Sequence, residues 1–451
     1  MDRLSLTRSA RIGLLALLAI AAFATFAFAR DAKSKSAAAV ATSASPKGMI
    51  LRCEEAGEKW TPGAKWEVAD DKAALSADHL LVGLPGAEID SANKAVHVRL
   101  LTDFDSPLAI LEPAILLHTP EKLDLELTLD RGMIELVSTK KGNAAFVRVH
   151  VRDAVFDLTL YTPGTKVTLL LASAWVKGVP FTQKPGPKDV PTAELMFVVQ
   201  KGDVDVRHDG RLNALAAPPG PAVIRWDNVN GIDSTATHLG KLPAWILPPT
   251  DPAEKEKVRR LDECVAAFCK DAADHSLSEV LDHFLSSDNR SHRHFAVILL
   301  GATDNLRRLA QELNSTKYPD TWDASVKALR HWIGRGPRQD MVLYNRLVEL
   351  RGLKPTEAAT VLHFLHTPDD AELARPETYE MLIDYLNSRH LAIRGLAFWH
   401  LYRLVPQGRS IPYDPLAAEE ERQKARNLWK ELIPDGQLPP KQSANKQEQR
   451  P

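Results

Sequence analysis

The 451-residue chain is long enough for two or three domains of about 150 residues each. A quarter of its residues are charged and 44% are apolar, so packed cores are affordable in composition. With 57 basic against 58 acidic side chains the formal net charge is −1, which excludes a global basic field for nucleic acid, and no run of acids forms a tail.

The N-terminus reads as an export signal. Arg3, Arg8 and Arg11 precede an uncharged run from Ile12 to Ala29, the pattern that keeps basic residues on the cytoplasmic side while the apolar run enters the membrane. Ala27-Phe28-Ala29 offers a small-x-small cleavage site, so residues 1–29 are expected to be either a removed signal peptide or a retained single anchor. Residues 30–49 are rich in Ala, Ser and Lys and are expected to be a flexible spacer. The chain is therefore expected in the periplasm or at the inner membrane of a bacterial envelope.

From 50 to 247 the apolar period is two. Leu123, Leu125, Leu127 and Leu129 alternate with Asp124, Glu126, Thr128 and Asp130, as a half-buried strand requires. Gly132 is expected to break that strand, with Ile134 and Leu136 on a second one. Val147, Val149 and Val151 follow, then Phe156, Leu158 and Leu160, a Pro163-Gly164 turn, and Val167, Leu169 and Leu171. A Gly202-Asp203 turn is expected before Val204 and Val206, and Asp209-Gly210 is a hairpin signal. Many short strands with Gly and Pro turns predict an all-β sandwich or jelly roll.

Within that region, Phe146 to Val223 resembles the FecR-type domain of bacterial envelope proteins. The resemblance rests on the Gly164-Thr165 step, on Val199-Gln200-Lys201-Gly202-Asp203-Val204-Asp205-Val206, and on Leu215 to Gly220. It implies an extracytoplasmic sensing or protein-binding role, often in transmembrane signalling, and does not imply catalysis.

Residues 248–253, with three prolines in Pro248-Pro249-Thr250-Asp251-Pro252, are expected to be a linker. The period then becomes 3.6 over 254–433, predicting an all-α domain. Leu277, Val280, Leu281, Phe284 and Leu285 share a face after a Ser276/Glu279 capping box. Further stripes are Trp322, Val326, Leu329, Ile333; then Tyr379, Leu382, Ile383, Leu386; then Ala425, Leu428, Trp429, Leu432. Leu281 to Leu300 aligns with Leu382 to Leu401, bringing Ser287 onto Ser388 and Arg293 onto Arg394. The second copy resembles a HEAT or armadillo-type repeat, which implies stacked helix pairs with a long surface for partners. Arg293 and Arg394 are assigned to holding turns or neighbouring carboxylates. Residues 434–451 are expected to be a disordered tail.

No nucleophile elbow, phosphate loop or dinucleotide fingerprint occurs, so no catalytic, metal or cofactor residue is assigned and the protein is read as a non-enzyme. Cys53, Cys264 and Cys269 are too few for a disulfide scaffold, and the last two sit about 140° apart around a helix, so all three are read as small hydrophobes. His292 and His294, beside Arg290 and Arg293, are read as a basic turn. His363 and His366 are three apart and could face one ligand, but lack the acid of a zinc helix; they are read as structural, as are His390 and His400. Asp124, Glu126 and Asp130 suit calcium or sugar, with a wet sheet face as the plainer reading. Trp175, Trp226 and Trp245 suit a glycan platform, with core packing as the plainer reading. Gly334-Arg335-Gly336-Pro337-Arg338 reads as a solvated inter-helix loop able to hold an anion. The sequence thus points to a protein partner in the envelope, with wall glycan as the alternative, and a hydrolase with an unfamiliar site behind both.

Overall fold

The computed structural model describes residues 39–45, 50–53, 66–102, 112–186, 189–315, 320–349 and 353–440. The expected export segment and most of the tail lie outside them. Among the described residues no helix is long and apolar enough to cross a membrane.

Strands come first: β1 (Ala39–Ser43), β2 (Ile50–Cys53), β3 (Trp66–Ala69), β4 (Ala74–Ser76), β5 (Leu80–Gly83), β6 (Glu88–Ser91), β7 (Val96–Leu101), β8 (Ala114–Leu117), β9 (Leu125–Ser138), β10 (Ala145–Val151), β11 (Ala154–Leu160), β12 (Lys166–Ala174), β13 (Thr192–His208), β14 (Arg211–Ala217), β15 (Ala222–Asp227), β16 (Gly231–Ile232) and β17 (Thr237–His238). One layer runs β4-β1-β6-β7-β9-β12-β13-β15, with β16 and β17 beyond β15. The other runs β3-β2-β5-β8-β9-β10-β11-β13-β14, and only its β9/β10 pair is parallel. Ile89, Val98, Ile134 and Phe197 from the first layer meet Leu81, Ile115, Val149 and Phe156 from the second in one core. The all-β half is thus a sandwich.

Two strands belong to both layers. β9 pairs with β10 up to Thr128 and with β8 up to Arg131, then with β12 from Gly132 and with β7 from Met133 on. β13 pairs with β12 up to Lys201, then with β14 from Gly202 on. The corners are glycines with φ +80° and +81°. A Cβ on Gly132 would stand 2.6 Å from Pro113 Cα, and one on Gly202 would stand 2.5 Å from Thr165 Oγ1. The strand break expected at Gly132 and the turn expected at Gly202-Asp203 are therefore bends inside continuous strands. A single residue of positive φ re-aims the ladder without ending it. The second corner also explains the Gly164-Thr165 step: Thr165, 1% exposed, is the residue packed against Gly202.

The expected spacer needs correction at its C-terminal end. Ala39–Ser43 is a strand paired on both sides, with β4 and β6, and Ala41 is fully buried. Backbone pairing between two neighbours orders it without any large side chain.

The helices follow: α1 (Pro252–Ala272), α2 (Leu277–Ser286), α3 (Arg290–Ala302), α4 (Leu306–Glu312), α5 (Thr321–Gly334), α6 (Gln339–Glu349), α7 (Pro355–Leu365), α8 (Asp370–Leu373), α9 (Pro376–Tyr385), α10 (Leu391–Leu404) and α11 (Glu419–Leu432). Pro252 opens α1, and the Asp251 side chain accepts from the amides of Ala253 (2.8 Å) and Glu254 (3.3 Å). The Ser276/Glu279 capping box forms on α2. The expected stripes are buried or half-buried except at Leu428, which is 42% exposed: the inward line is Ala425 and Trp429 of α11 and Ile433 just past its end, at a spacing of four.

The two halves share a core. Leu51, Cys53, Leu80, Val82, Leu84 and Ala114 of the strand region lie in one cluster with the apolar faces of the helices. Their sequence neighbours Ile50, Leu81 and Ile115 point the other way, into the sandwich. These strands are apolar on both faces, because they are covered on both.

Candidate functional site

Among the described residues no helix covers the second layer beyond β9. In β10, Ala145, Val147, Val149 and Val151 turn inward, so Phe146, Arg148 and His150 turn out. In β11 the outward set is Val155, Asp157 and Thr159; in β13 it is Asp205 and Arg207; in β14 it is Leu212 and Ala214. The registers place Arg148 opposite Asp157, Asp157 opposite Arg207, and Arg207 opposite Leu212. Arg148 donates to both Asp157 oxygens, at 2.7 and 3.1 Å. The Tyr161 hydroxyl, just past β11, donates to Asp205 at 2.6 Å. Between these polar links Phe146, Val155, Tyr161 and Leu212 remain 44, 40, 46 and 52% exposed. Among the described residues β14 pairs with β13 alone, so its outer edge offers unpaired backbone groups beside this face.

The covered part of the molecule is joined to the helices by buried charge. Arg131 Nε donates to Glu112 Oε1 at 2.7 Å, and Arg335 Nη2 donates to the same oxygen at 2.6 Å. Arg335 Nη1 reaches Asp304 Oδ1 at 3.1 Å and the Gly301 carbonyl at 3.1 Å; Arg131 Nη2 donates to the Ala302 carbonyl at 2.9 Å. Trp332 Nε1 also donates to Asp304, and Arg131 to Asp130. Glu112 is fully buried. Burial raises the Asp304 pKa despite Arg335 and Arg131. Burial lowers that of Arg335, and burial followed by Arg335 and Arg131 holds His331 neutral, well below its usual range. For Arg131 burial is outweighed by Glu112, Asp130 and Asp304, which raise it. Both guanidiniums stay charged at such shifts. The expectation of a solvated Gly334–Arg338 loop is overturned at Arg335, whose side chain is 6% exposed. Its partner Glu112 lies 223 residues away, and the one sequence signal was a lone carboxylate inside the apolar run of 108–117.

The remaining candidates are distributed as follows. Asp124 accepts from Lys140 (2.8 and 2.9 Å), Asn93 (2.8 Å) and the Phe146 amide (2.8 Å). Burial would raise its pKa, but these donors outweigh it and lower it. Glu126 meets His150 at 2.9 Å, and Asp130 meets Arg131, so the three acids do not converge. Trp226 is buried against Phe156, Trp175 donates to the Ile333 carbonyl at 2.9 Å and packs on His366, and Trp245 packs against Met133 and Leu170. None of the three presents a free platform.

His363, His366 and His400 line one cavity of about 50 Å³ with Val179, Thr378 and Met381. His366 Nδ1 is bonded to the Val179 carbonyl at 2.9 Å, and His400 Nε2 to that of Phe364 at 2.7 Å. Burial pushes both pKa values down to about 4. His292 stacks on Phe284, and His294 meets the Asp320 carbonyl at 2.8 Å. His390 meets Glu357 at 3.0 Å. Cys53 and Cys264 are buried and Cys269 is half-buried; burial pushes Cys264 up to about 12. Arg293 and Arg394 repeat one contact: Arg293 Nη1 donates to the Ser287 carbonyl at 2.6 Å and Arg394 Nη1 to the Ser388 carbonyl at 3.2 Å. Each then reaches forward, Arg293 to Asp320 and Arg394 to the Pro415 carbonyl.

No family model and no curated protein matches this chain. Among solved structures, two crystal structures of a candidate anti-sigma factor from Parabacteroides distasonis match over 36% of this chain and 52% of theirs, at 16 and 15% identity, each with a TM-score of 0.17. The chain thus spans about half the length of these neighbours. Likeness at that TM-score carries no argument about role.

Proposed function

We propose that this chain is a non-enzymatic interaction protein of the bacterial envelope, of a sensing or regulatory kind, with a FecR-type β half and HEAT-like helix pairs behind it. The partner is a protein, docking on the uncovered face of β10, β11, β13 and β14. One observation carries the reading: Phe146, Val155, Tyr161 and Leu212 stand exposed between oriented charge pairs on a rigid sheet, next to an open strand edge. Apolar anchors set among polar groups are what a non-obligate protein interface uses, and an open edge can add backbone hydrogen bonds from a partner strand. The helical half acts as a brace, fixed through the Glu112/Arg131/Arg335/Asp304 cluster. The envelope address rests on the basic-then-apolar pattern of residues 1–29.

A photo-crosslinking residue placed at Phe146 or Leu212 in the full chain, in cells, tests this. A discrete adduct is expected at both positions, and none at Val229, which is 72% exposed in the turn after β15. Introducing Tyr161→Glu should abolish the adduct at Leu212. The same adducts from Val229, or none from either sheet position, overturn the proposal.

A further inference from the structure

Asp271 lies in the last turn of α1, His275 in the connection that follows, and His283 in the last turn of α2. The Asp271 carboxylate sits between the two rings: Oδ1 is 2.9 Å from His275 Nδ1, and Oδ2 is 2.9 Å from His283 Nδ1. The rings stand edge to face, 84° apart, with centroids 5.0 Å apart. One ligand atom from each residue lies within 4.8 Å of the other two. Neither histidine is among those weighed from the sequence; the spacing of four and then eight crosses a helix-to-helix turn and matches no one-helix pattern.

We propose that Asp271, His275 and His283 bind a borderline divalent cation, with zinc the best fit, and that the ion clips α1 to α2. Two imidazole nitrogens and one carboxylate oxygen form a donor set that suits zinc, cobalt or nickel; calcium and magnesium require oxygen ligands. Bond lengths of about 2.0–2.2 Å around a tetrahedral ion separate its ligands by about 3.3 Å. The 2.9 Å contacts need to open slightly and the widest separation, within 4.8 Å, needs to close to the same value, which the two rings, 44 and 51% exposed, have room to do by turning. The fourth position falls to water.

The local fold prepares this arrangement. Glu279 accepts from the Ser276 amide at 2.9 Å and from its hydroxyl at 2.7 Å, which fixes the turn carrying His275 against the start of α2. The Glu279 carboxylate also lies near enough to both rings to add favourable negative charge. A clip has work to do here. Only Cys264, Val265 and Phe268 of the 21 residues of α1 are buried, and past Phe268 its apolar contacts are the half-buried Cys269 and Ala272, so the C-terminal end is held less firmly than the middle.

Cobalt(II) serves as a spectroscopic probe on the full chain without an affinity tag. Visible d–d bands should saturate at one cobalt per chain and disappear on adding zinc. Zinc should also slow amide exchange across 252–272. His275→Ala and His283→Ala should each weaken cobalt binding by about 10-fold or more, since even an outer-shell change costs that much. His238→Ala, an exposed histidine on β17, should leave binding unchanged. All three positions are on the surface, and circular dichroism checks that the variants fold. Equal cobalt binding by wild type, His275→Ala and His283→Ala overturns the proposal, as does the absence of bands up to millimolar cobalt.

Discussion

The second β layer is one continuous sheet with two characters. Its β3-β2-β5-β8 part lies under the helices, and its β10-β11-β13-β14 part is bare. The covered part carries unbroken apolar runs, as in Ile50-Leu51, Leu80-Leu81-Val82 and Ala114-Ile115-Leu116-Leu117, with Arg52 and Glu67 as exceptions. In the bare part apolar and polar residues alternate, as in Val147-Arg148-Val149-His150. The difference teaches that cover, and not strand pairing, sets the pattern of a strand. The covered part spends its charge on holding two halves together, whereas the bare part holds its charge on an exposed face.

The sharpest way to break the comparison is at the covered part. Arg335→Ala leaves Glu112 and Asp304 buried with one guanidinium between them, and should cost about 3–5 kcal/mol in urea unfolding. Replacing Arg148 on the bare part should cost far less. Equal losses at the two positions would erase the distinction.

Acidification probes the interior next. Unfolded, His366 and His400 titrate near 6.5; folded, near 4. Between those values the unfolded chain binds more protons, so stability present above pH 6.5 is lost as pH falls toward 4, by roughly 3 kcal/mol at most for each. His331 acts in the same sense, while Asp304 and Asp340, raised by burial, act in the opposite one. The urea midpoint should fall between pH 6.5 and 4.5, and His400→Gln should flatten that fall. A midpoint that stays level in the wild type contradicts the buried, neutral state of these rings.

The smallest effect belongs to the bare face. A double-mutant cycle on Arg148 and Asp157 should return about 0.2–1 kcal/mol, the usual value for an exposed cross-strand pair. A coupling several times larger would mean that the pair is part of the fold and not a surface feature.

Most of the architecture was legible in the sequence, because alternation and helical stripes report directly which side of an element meets the core. The switch near Pro248 and the Ser276/Glu279 cap fell where the pattern put them. Three things were hidden. Ala39–Ser43 vanished into an Ala- and Ser-rich average, since a strand ordered by its backbone needs no large side chain. Gly132 and Gly202 read as breaks because a bend and a turn demand the same residue. Arg335 read as solvated because its partner Glu112 is remote in the chain, and no local spacing announces a contact of that kind. The Arg293/Arg394 repeat was visible precursor to its contact, since both arginines hold a carbonyl six residues back.

Strands β9 and β13 run through both layers, and this bears on how the protein can be taken apart. Neither layer is a module that could be excised, swapped or duplicated alone, because each would carry away half of two backbone segments needed by the other. Proteolysis within 125–138 or 192–208 should collapse the whole sandwich, whereas the Asp209-Gly210 tip, where a Cβ on Gly210 would meet nothing within 4 Å, is the place to splice in a reporter.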